Sequence, residues 1–253
     1  EPQYMSITSL AENCGVSEAT ITRFCRVLGL SGYNDLKLAL AKSDRVTDLG
    51  DPSDGAQTIN HEDDFDTMCR KIHSSSIVSL NETLELLNEA ALVRAVNLLS
   101  GARHVYCFGQ GGSMVMAMEA WARFSTVSSN FIHIEDSHMQ AMAAALATSK
   151  DVILFFSYSG ATKDMLDVLR PARRRGAKII LVTHFAKSPA AAMADVTLLC
   201  GSKEGPLQSG SVAAKMGLLF IIDVLFNEYC RTNPALTEAN REATAGAISA
   251  KLL

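Results

Sequence analysis

The spacing of apolar positions changes along the chain. Between Met5 and about Ser43 it is helical. Ile7, Leu10, Ala11 and Cys14 stand at i, i+3, i+4 and i+7, the stripe of one short helix. Ser6 precedes that stripe as an N-cap. Gly15 follows it, where a left-handed residue ends a helix without a Cβ penalty. Ser17 then caps a second helix with Ile21, Phe24, Cys25 and Leu28 on its apolar side and Gly29 at its end. Two short helices about a glycine turn predict a helix-turn-helix. Asp44 to Asp66 is rich in Asp, Gly, Ser and Pro and poor in apolar residues, which predicts a linker.

A long helix is predicted from Phe65 onward, with Ile77, Leu80, Leu84 and Leu87 at helical spacing. Five short apolar, β-branched runs follow: RHVYCF, NFIHI, DVILFFS, KIILVT and DVTLLC. Helical patterns separate most of them. Near-continuous apolar strands alternating with helices imply a parallel sheet covered on both faces. The expected fold class is therefore α/β: a small all-α helix-turn-helix domain followed by a doubly wound domain with a five-stranded parallel sheet. The expected boundaries are residues 1–45, a linker at 46–66, and 67–253.

Composition narrows the function classes. The 253 residues are 48% hydrophobic and 20% charged, an ordinary globular balance. The net charge of −4 excludes a uniformly basic nucleic-acid coat, though not a small DNA-reading module with a local positive face. The longest apolar run, Gly217 to Ile222, is interrupted by Asp223 and falls short of the ~20 residues of a membrane span. No membrane association and no signal peptide are expected. The six cysteines lie at 14, 25, 69, 107, 200 and 230, without metal-clip spacing and mostly within apolar segments. They read as reduced core thiols of a cytoplasmic protein. His133 and His138 bracket acids but gather no further ligands, so no metal and no cofactor are expected.

The second short helix carries the first candidate chemistry. At ~100° per residue, Ala19, Thr22, Arg23 and Arg26 lie opposite its buried stripe, beside the cap Ser17. Arginine pairs with guanine edges or phosphates, threonine hydrogen-bonds, and alanine meets a thymine methyl. The alternative is an ordinary solvated helix face. Residues 1–45 balance five basic groups against five acidic ones, so DNA affinity is expected from local placement, from pairing two readers, or from residues absent from this sequence.

The second candidate lies at two loops. The first strand runs into Gly109-Gln-Gly-Gly-Ser113 and a helix; the third runs into Ser157-Tyr-Ser-Gly-Ala-Thr162 and a helix. Right-handed crossovers place these strands side by side with the second strand on the other flank, so both loops open on a topological switch point. Gly111 and its neighbours let backbone N–H groups approach an anion, and Ser113 sits where a helix start favours phosphate. Ser157, Ser159 and Thr162 add hydroxyls, and Gly160 permits the turn. The bland reading is a pair of strand-to-helix turns with capping residues. A dinucleotide site competes, with Glu135 as its ribose acid, but Met114 stands where the third fingerprint glycine belongs. The run Arg170 to Arg175 reads as cations complementing a helix C-terminus.

The stretch SITSLAENCGVSEATITRFCRVLGLSGYNDLKLALAKS resembles the DNA-binding domain of RpiR-type bacterial transcription regulators. In that family further helices precede the reader pair. The pieces FGQGGS, DSHMQAMAAALATSKD, FFSYSGATKDMLDVL and GAKIILVTHFAKSPAAAMAD resemble the SIS (sugar isomerase) domain. The resemblance implies a regulator of sugar metabolism that binds operator DNA and senses a phosphorylated sugar. Its phosphate-contacting hydroxyls correspond to Ser113, Ser157, Ser159 and Thr162. It also implies a homodimer or homotetramer, with residues 211–230 and the tail after Pro234 as pairing elements. Some SIS proteins are aldose/ketose isomerases, the alternative function; Glu204, His184 and His138 are then the groups near the crevice edge, with Glu204 equally able to bind a sugar hydroxyl.

Overall fold

The computed structural model describes residues 2–47, 59–202 and 211–249. A 3-10 turn, Pro2–Tyr4, leads into α1 (Ile7–Asn13), α2 (Glu18–Val27) and α3 (Tyr33–Thr47). Ser6 and Ser17 cap α1 and α2, their hydroxyls accepting from Ser9 N (3.0 Å) and Thr20 N (3.2 Å). Gly15 and Gly29 take the expected positive φ, +65° and +78°. The small core is Ala11, Ile21, Cys25 and Tyr33. It is narrower than the apolar stripes predict: Cys14, Phe24 and Leu28 are exposed. Burial pushes the Tyr33 phenol up to about 12, and its Oη donates to the Pro2 and Met5 carbonyls. Helix α3 continues to Thr47, into the stretch read as linker; residues 48–58 of that stretch lie outside the described residues.

The second unit begins with α4 (Phe65–Leu86), capped by Asp64, and α5 (Glu89–Gly101). Then come β1 (His104–Gly109), α6 (Met114–Phe124), β2 (Phe131–His133), α7 (Ser137–Leu146), β3 (Asp151–Phe156), α8 (Lys163–Arg174), β4 (Lys178–Thr183) and β5 (Val196–Leu199). Two helices finish the chain, α9 (Val212–Thr232) and α10 (Pro234–Ser249). The sheet is parallel throughout, in the order β2-β1-β3-β4-β5, with β1 and β3 adjacent as the crossover argument requires. Every residue of β3 is buried, as befits a central strand covered on both faces. One face packs under α5, α6 and α9, the other under α7 and α8.

Helix α4 departs from its sequence pattern. Ile77 and Leu84 are exposed, while Ser79 and Thr83 are fully buried along α9. The reason is close approach. A Cβ on Gly217 of α9 would stand 2.7 Å from Thr83 Oγ1, so small residues set this seam. The hydroxyls are satisfied locally: Ser79 donates to the Ala213 carbonyl (2.6 Å) and Thr83 to the Ser79 carbonyl (2.6 Å). Helix α9 spends its apolar face in the chain's own core through Leu218, Ile221, Ile222, Leu225, Phe226 and Tyr229. Of the cysteines, Cys25, Cys107 and Cys200 are buried; Cys14 and Cys69 are exposed, which corrects the reading of them as core thiols.

Candidate functional site

The carboxyl ends of the strands form the crevice. At the end of β1, Gly109 lies beneath the turn Gly111–Ser113, so close that a Cβ would stand 2.5 Å from the Ser113 carbonyl oxygen. Gly111 has φ +54°, and neither it nor Gly112 has a neighbour where a side chain would begin. Ser113 N and Met114 N are spent inside the turn, on the Gln110 and Gly111 carbonyls, so the amides it offers an incoming group are those of the exposed Gly111 and Gly112. Ser113 stands at the start of α6, and its hydroxyl makes no capping bond.

The β3 loop faces it. Ser157 continues the ladder, its N–H donating to the Val182 carbonyl (3.0 Å). Its buried hydroxyl accepts from Gly160 N (3.2 Å), leaving the hydroxyl hydrogen to donate elsewhere. Ser159 Oγ accepts from Ala161 N (3.3 Å), and Thr162 precedes α8 without a capping bond. Gly160 takes φ +58°. The structure therefore brings Ser157, Ser159, Gly160 and Thr162 onto one short loop, beside the turn bearing Gly111 and Ser113 on the adjacent strand. Glu204 lies outside the described residues.

Further groups lace the strand ends together, and the sequence reading missed them. Gln140 of α7, fully buried, donates through Nε2 to Gly109 O (3.1 Å) and Ile134 O (2.7 Å), tying the ends of β1 and β2. Tyr158 O accepts from Thr183 Oγ1 (3.0 Å) and His184 N (3.1 Å). Tyr158 Oη donates to Ser202 O (2.7 Å), and Ser202, at φ +84°, donates its N–H to Glu82 Oε2 (2.7 Å). The Tyr158 and His184 rings stack at 5.0 Å, nearly parallel. A polar residue amid the apolar run of α7 was the available signal for Gln140. His138 opens α7 behind its cap Asp136.

A shallow cavity of about 280 Å³ opens at the other end of the strands, lined by Arg94, Asn97, Leu98, Lys178 and Asp195. Lys178 there pairs with Asp195 (3.2 Å), so its charge is spent. The arginine run behaves as a helix end, with Arg173 and Arg174 in the last turn of α8 and Arg173 bonded to the Met193 carbonyl (2.5 Å).

On α2, Ser17, Ala19, Arg23 and Arg26 are exposed and Thr22 is half-buried. Thr22 Oγ1 donates back to the Glu18 carbonyl (3.0 Å), and Arg23 reaches Thr20 Oγ1 (3.4 Å). The face predicted opposite Ile21 and Cys25 is thus presented outward.

A glycine-turn helix pair followed by a doubly wound α/β domain is the architecture of a helix-turn-helix transcriptional regulator with a second, α/β domain. Residues 1–46 match the helix-turn-helix domain of the rpiR family, and residues 98–227 match the SIS domain. The chain belongs to this family of RpiR-type transcriptional regulators. It is 34% identical over 226 residues to an HTH-type transcriptional regulator of Caldanaerobacter subterraneus, covering 88% of this chain and 77% of that one. It is 36% identical over 199 residues to the regulator HexR of Pseudomonas aeruginosa, covering 77% and 66%. Among solved structures, the Vibrio vulnificus NanR protein complexed with ManNAc-6P superposes with a TM-score of 0.86 at 28% identity, covering 99% of this chain and 88% of that one. Among the described residues no helix is long and apolar enough to cross a membrane.

Proposed function

We propose that this regulator senses a phosphorylated sugar in the crevice between the β1 and β3 loops and controls its hold on operator DNA accordingly. One observation carries the reading. Two adjacent strands end at the switch point in loops that offer open backbone amides and hydroxyls without a capping partner, Ser113 and Thr162. That donor set suits a phosphate, whose oxygens accept several bonds at once. The likeness to NanR complexed with ManNAc-6P supports it. Ser157 and Ser159 complete the phosphate cradle, and Glu204 is assigned to the sugar hydroxyls. No catalytic role is assigned, since the relatives compared are named as regulators.

Ala19, Thr22, Arg23 and Arg26 read base edges and phosphates, with Ser17 fixing the helix start. The protein acts in the cytoplasm as a homodimer or homotetramer. One such helix reads too few bases for selectivity, and paired readers address half-sites about 10 bp apart. The exposed Met139, Met142 and Leu146 of α7 and Met118 and Trp121 of α6 support an oligomer. A thermal-shift screen over phosphorylated sugars tests the sensing claim. A ligand at ~100 times its Kd adds ~2.7 kcal/mol of stability. Phosphorylated sugars should raise the melting temperature and their unphosphorylated parents should not. Equal shifts for both would overturn the reading.

A further inference from the structure

The segment that follows β4, Thr183 to Ala190, touches both functional halves of the protein. On one side it carries the β3 loop. Thr183 Oγ1 and His184 N both donate to Tyr158 O, and Ala190 N donates to Gly160 O (3.0 Å). Gly160 sits so tightly on Ser188 that a Cβ would stand 2.3 Å from its Oγ and 2.8 Å from its Cβ. There is no slack in that contact. The β3 loop cannot settle toward the segment unless Ser188 moves.

On the other side the same segment holds the helix-turn-helix domain. Lys187 O accepts from Ser6 Oγ (2.5 Å), the hydroxyl that also caps α1 by accepting from Ser9 N. Lys187 Nζ pairs with Glu12 Oε2 of α1 (2.5 Å). Lys37 Nζ of α3 lies 5.4 Å from the centre of the Phe185 ring, and burial lowers its pKa. Phe185 packs edge-on against His184 (4.9 Å) and Tyr158 (5.9 Å). A single ring thus stands between a residue of the β3 loop and a residue of the reader.

We propose that Thr183–Ala190 is the coupling element through which occupancy of the β3 loop is reported to the DNA reader. The proposal rests on the sugar-phosphate reading above and adds its route. Two features suit the segment to that task. Among the described residues the dock includes one hydrogen bond, one ion pair with both side chains more than half exposed, and one cation–π contact, each modest by itself. It also leaves Ala19, Arg23 and Arg26 of α2 exposed. The dock therefore sets where the reader is held and does not mask it. A ligand that draws the β3 loop inward favours one placement of Ser188 over another. By linkage it favours one placement of the reader. Typical coupling of this kind changes affinity ~5–150-fold.

Two native cysteines make the test direct. Cys14 at the end of α1 and Cys69 on α4 are both exposed. With Cys230 replaced by serine, the full-length chain is spin-labelled at these two positions, and their separation is measured by pulsed electron resonance. The double variant Ser6→Ala/Lys187→Ala should broaden or displace the wild-type distance. Gly160→Ala, which touches no residue of the reader, should do the same without any ligand. Ser188→Val approaches that contact from the other side and stands in should Gly160→Ala fail to fold by circular dichroism. A wild-type distance in folded Gly160→Ala or Ser188→Val overturns the coupling. So does a wild-type distance in the Ser6→Ala/Lys187→Ala variant. ManNAc-6P is then titrated into the wild type by calorimetry, with the distance followed in parallel. Heat without a distance change overturns the coupling and leaves the sensing claim standing. Absence of heat counts against sensing of that compound, and the coupling is then decided by the ligand-free distances of the variants above.

Discussion

Replacing Gly109 by alanine probes the β1 turn at its tightest point. A Cβ there would lie 2.5 Å from the Ser113 carbonyl oxygen, 2.8 Å from its carbon and 3.1 Å from Met114 N. Ordinary contact begins at 3.4 Å, so the nearest pair falls short by about 0.9 Å. All three atoms are backbone, and no rotamer relieves them. The turn and the first residues of α6 must retreat. Overpacking of this kind costs about 1–3 kcal/mol. For a chain of this size each kcal/mol is worth roughly 2–4 °C, so the melting temperature should fall by roughly 2–12 °C. The retreat also carries the Ser113 hydroxyl and the exposed Gly111–Gly112 turn away from the crevice. Sugar-phosphate affinity should therefore drop at least ~10-fold, the equivalent of one weakened charge-assisted bond. Gly112 is the control: an added Cβ meets nothing within 4 Å, and Gly112→Ala should melt with the wild type. Gly111 is equally open but sits at φ +54°, so Gly111→Ala should cost about 1–2 kcal/mol through strain alone. Scanning calorimetry and titration calorimetry on the three variants supply the data. A Gly109→Ala protein that melts with Gly112→Ala and binds as the wild type does would refute the packing argument.

Three further predictions concern other elements. Asp151 opens β3 fully buried; burial pushes its pKa up, but two bonds from Arg103 and two from Thr148 outweigh that and hold it below the ordinary value. Its stabilisation is thus present above pH ~4 and lost as pH falls through the folded value; Asp151→Asn should cost about 2 kcal/mol at pH 7 and flatten the acid limb of the stability curve, measured by urea titration. Gly217→Ala should drive a methyl onto Thr83 Oγ1, 2.7 Å away, and destabilise by about 1–3 kcal/mol, with Thr83→Ala, which removes that oxygen, giving partial rescue in a double-mutant cycle. Arg23→Ala and Arg26→Ala should each weaken binding to a selected operator by about 1–3 kcal/mol if they read a base, or lower the salt slope by ~1 if they hold a phosphate; unchanged affinity in both would remove α2 as the reader.

The fold was largely legible because its signals are local. Five β-branched apolar runs announce buried parallel strands, and right-handed crossovers place β2 and β3 on either side of β1. The glycine turns at 15 and 29 have a stereochemical cause visible in the residue itself. The crevice loops were legible for the same reason, each lying directly after a strand. What escaped was set by tertiary contact. Periodicity marks Ile77 and Leu84 as the inner face of α4, yet Ser79 and Thr83 are inside because Gly217 lets two helices close on small side chains. Phe24 and Leu28 sit on an apolar stripe but find no partner element opposite them among the described residues. Lys187 and Glu12 are 175 positions apart, and nothing in either neighbourhood announces the other. Gln140 and Tyr158 are likewise defined by the carbonyls they reach, not by their own spacing.

The most direct test of the central claim is a calorimetric titration of the phosphorylated sugar that gives the largest thermal shift. It is run against the wild type and against Ser113→Ala/Ser157→Ala, with the unphosphorylated sugar alongside. Two charge-assisted bonds at about 1.5–3 kcal/mol each predict at least a ~100-fold loss in the variant. The unphosphorylated sugar should bind the wild type no better than the phosphorylated one binds the variant. Affinity unchanged by the double substitution, or by loss of the phosphate, would contradict phosphate recognition at the β1–β3 crevice.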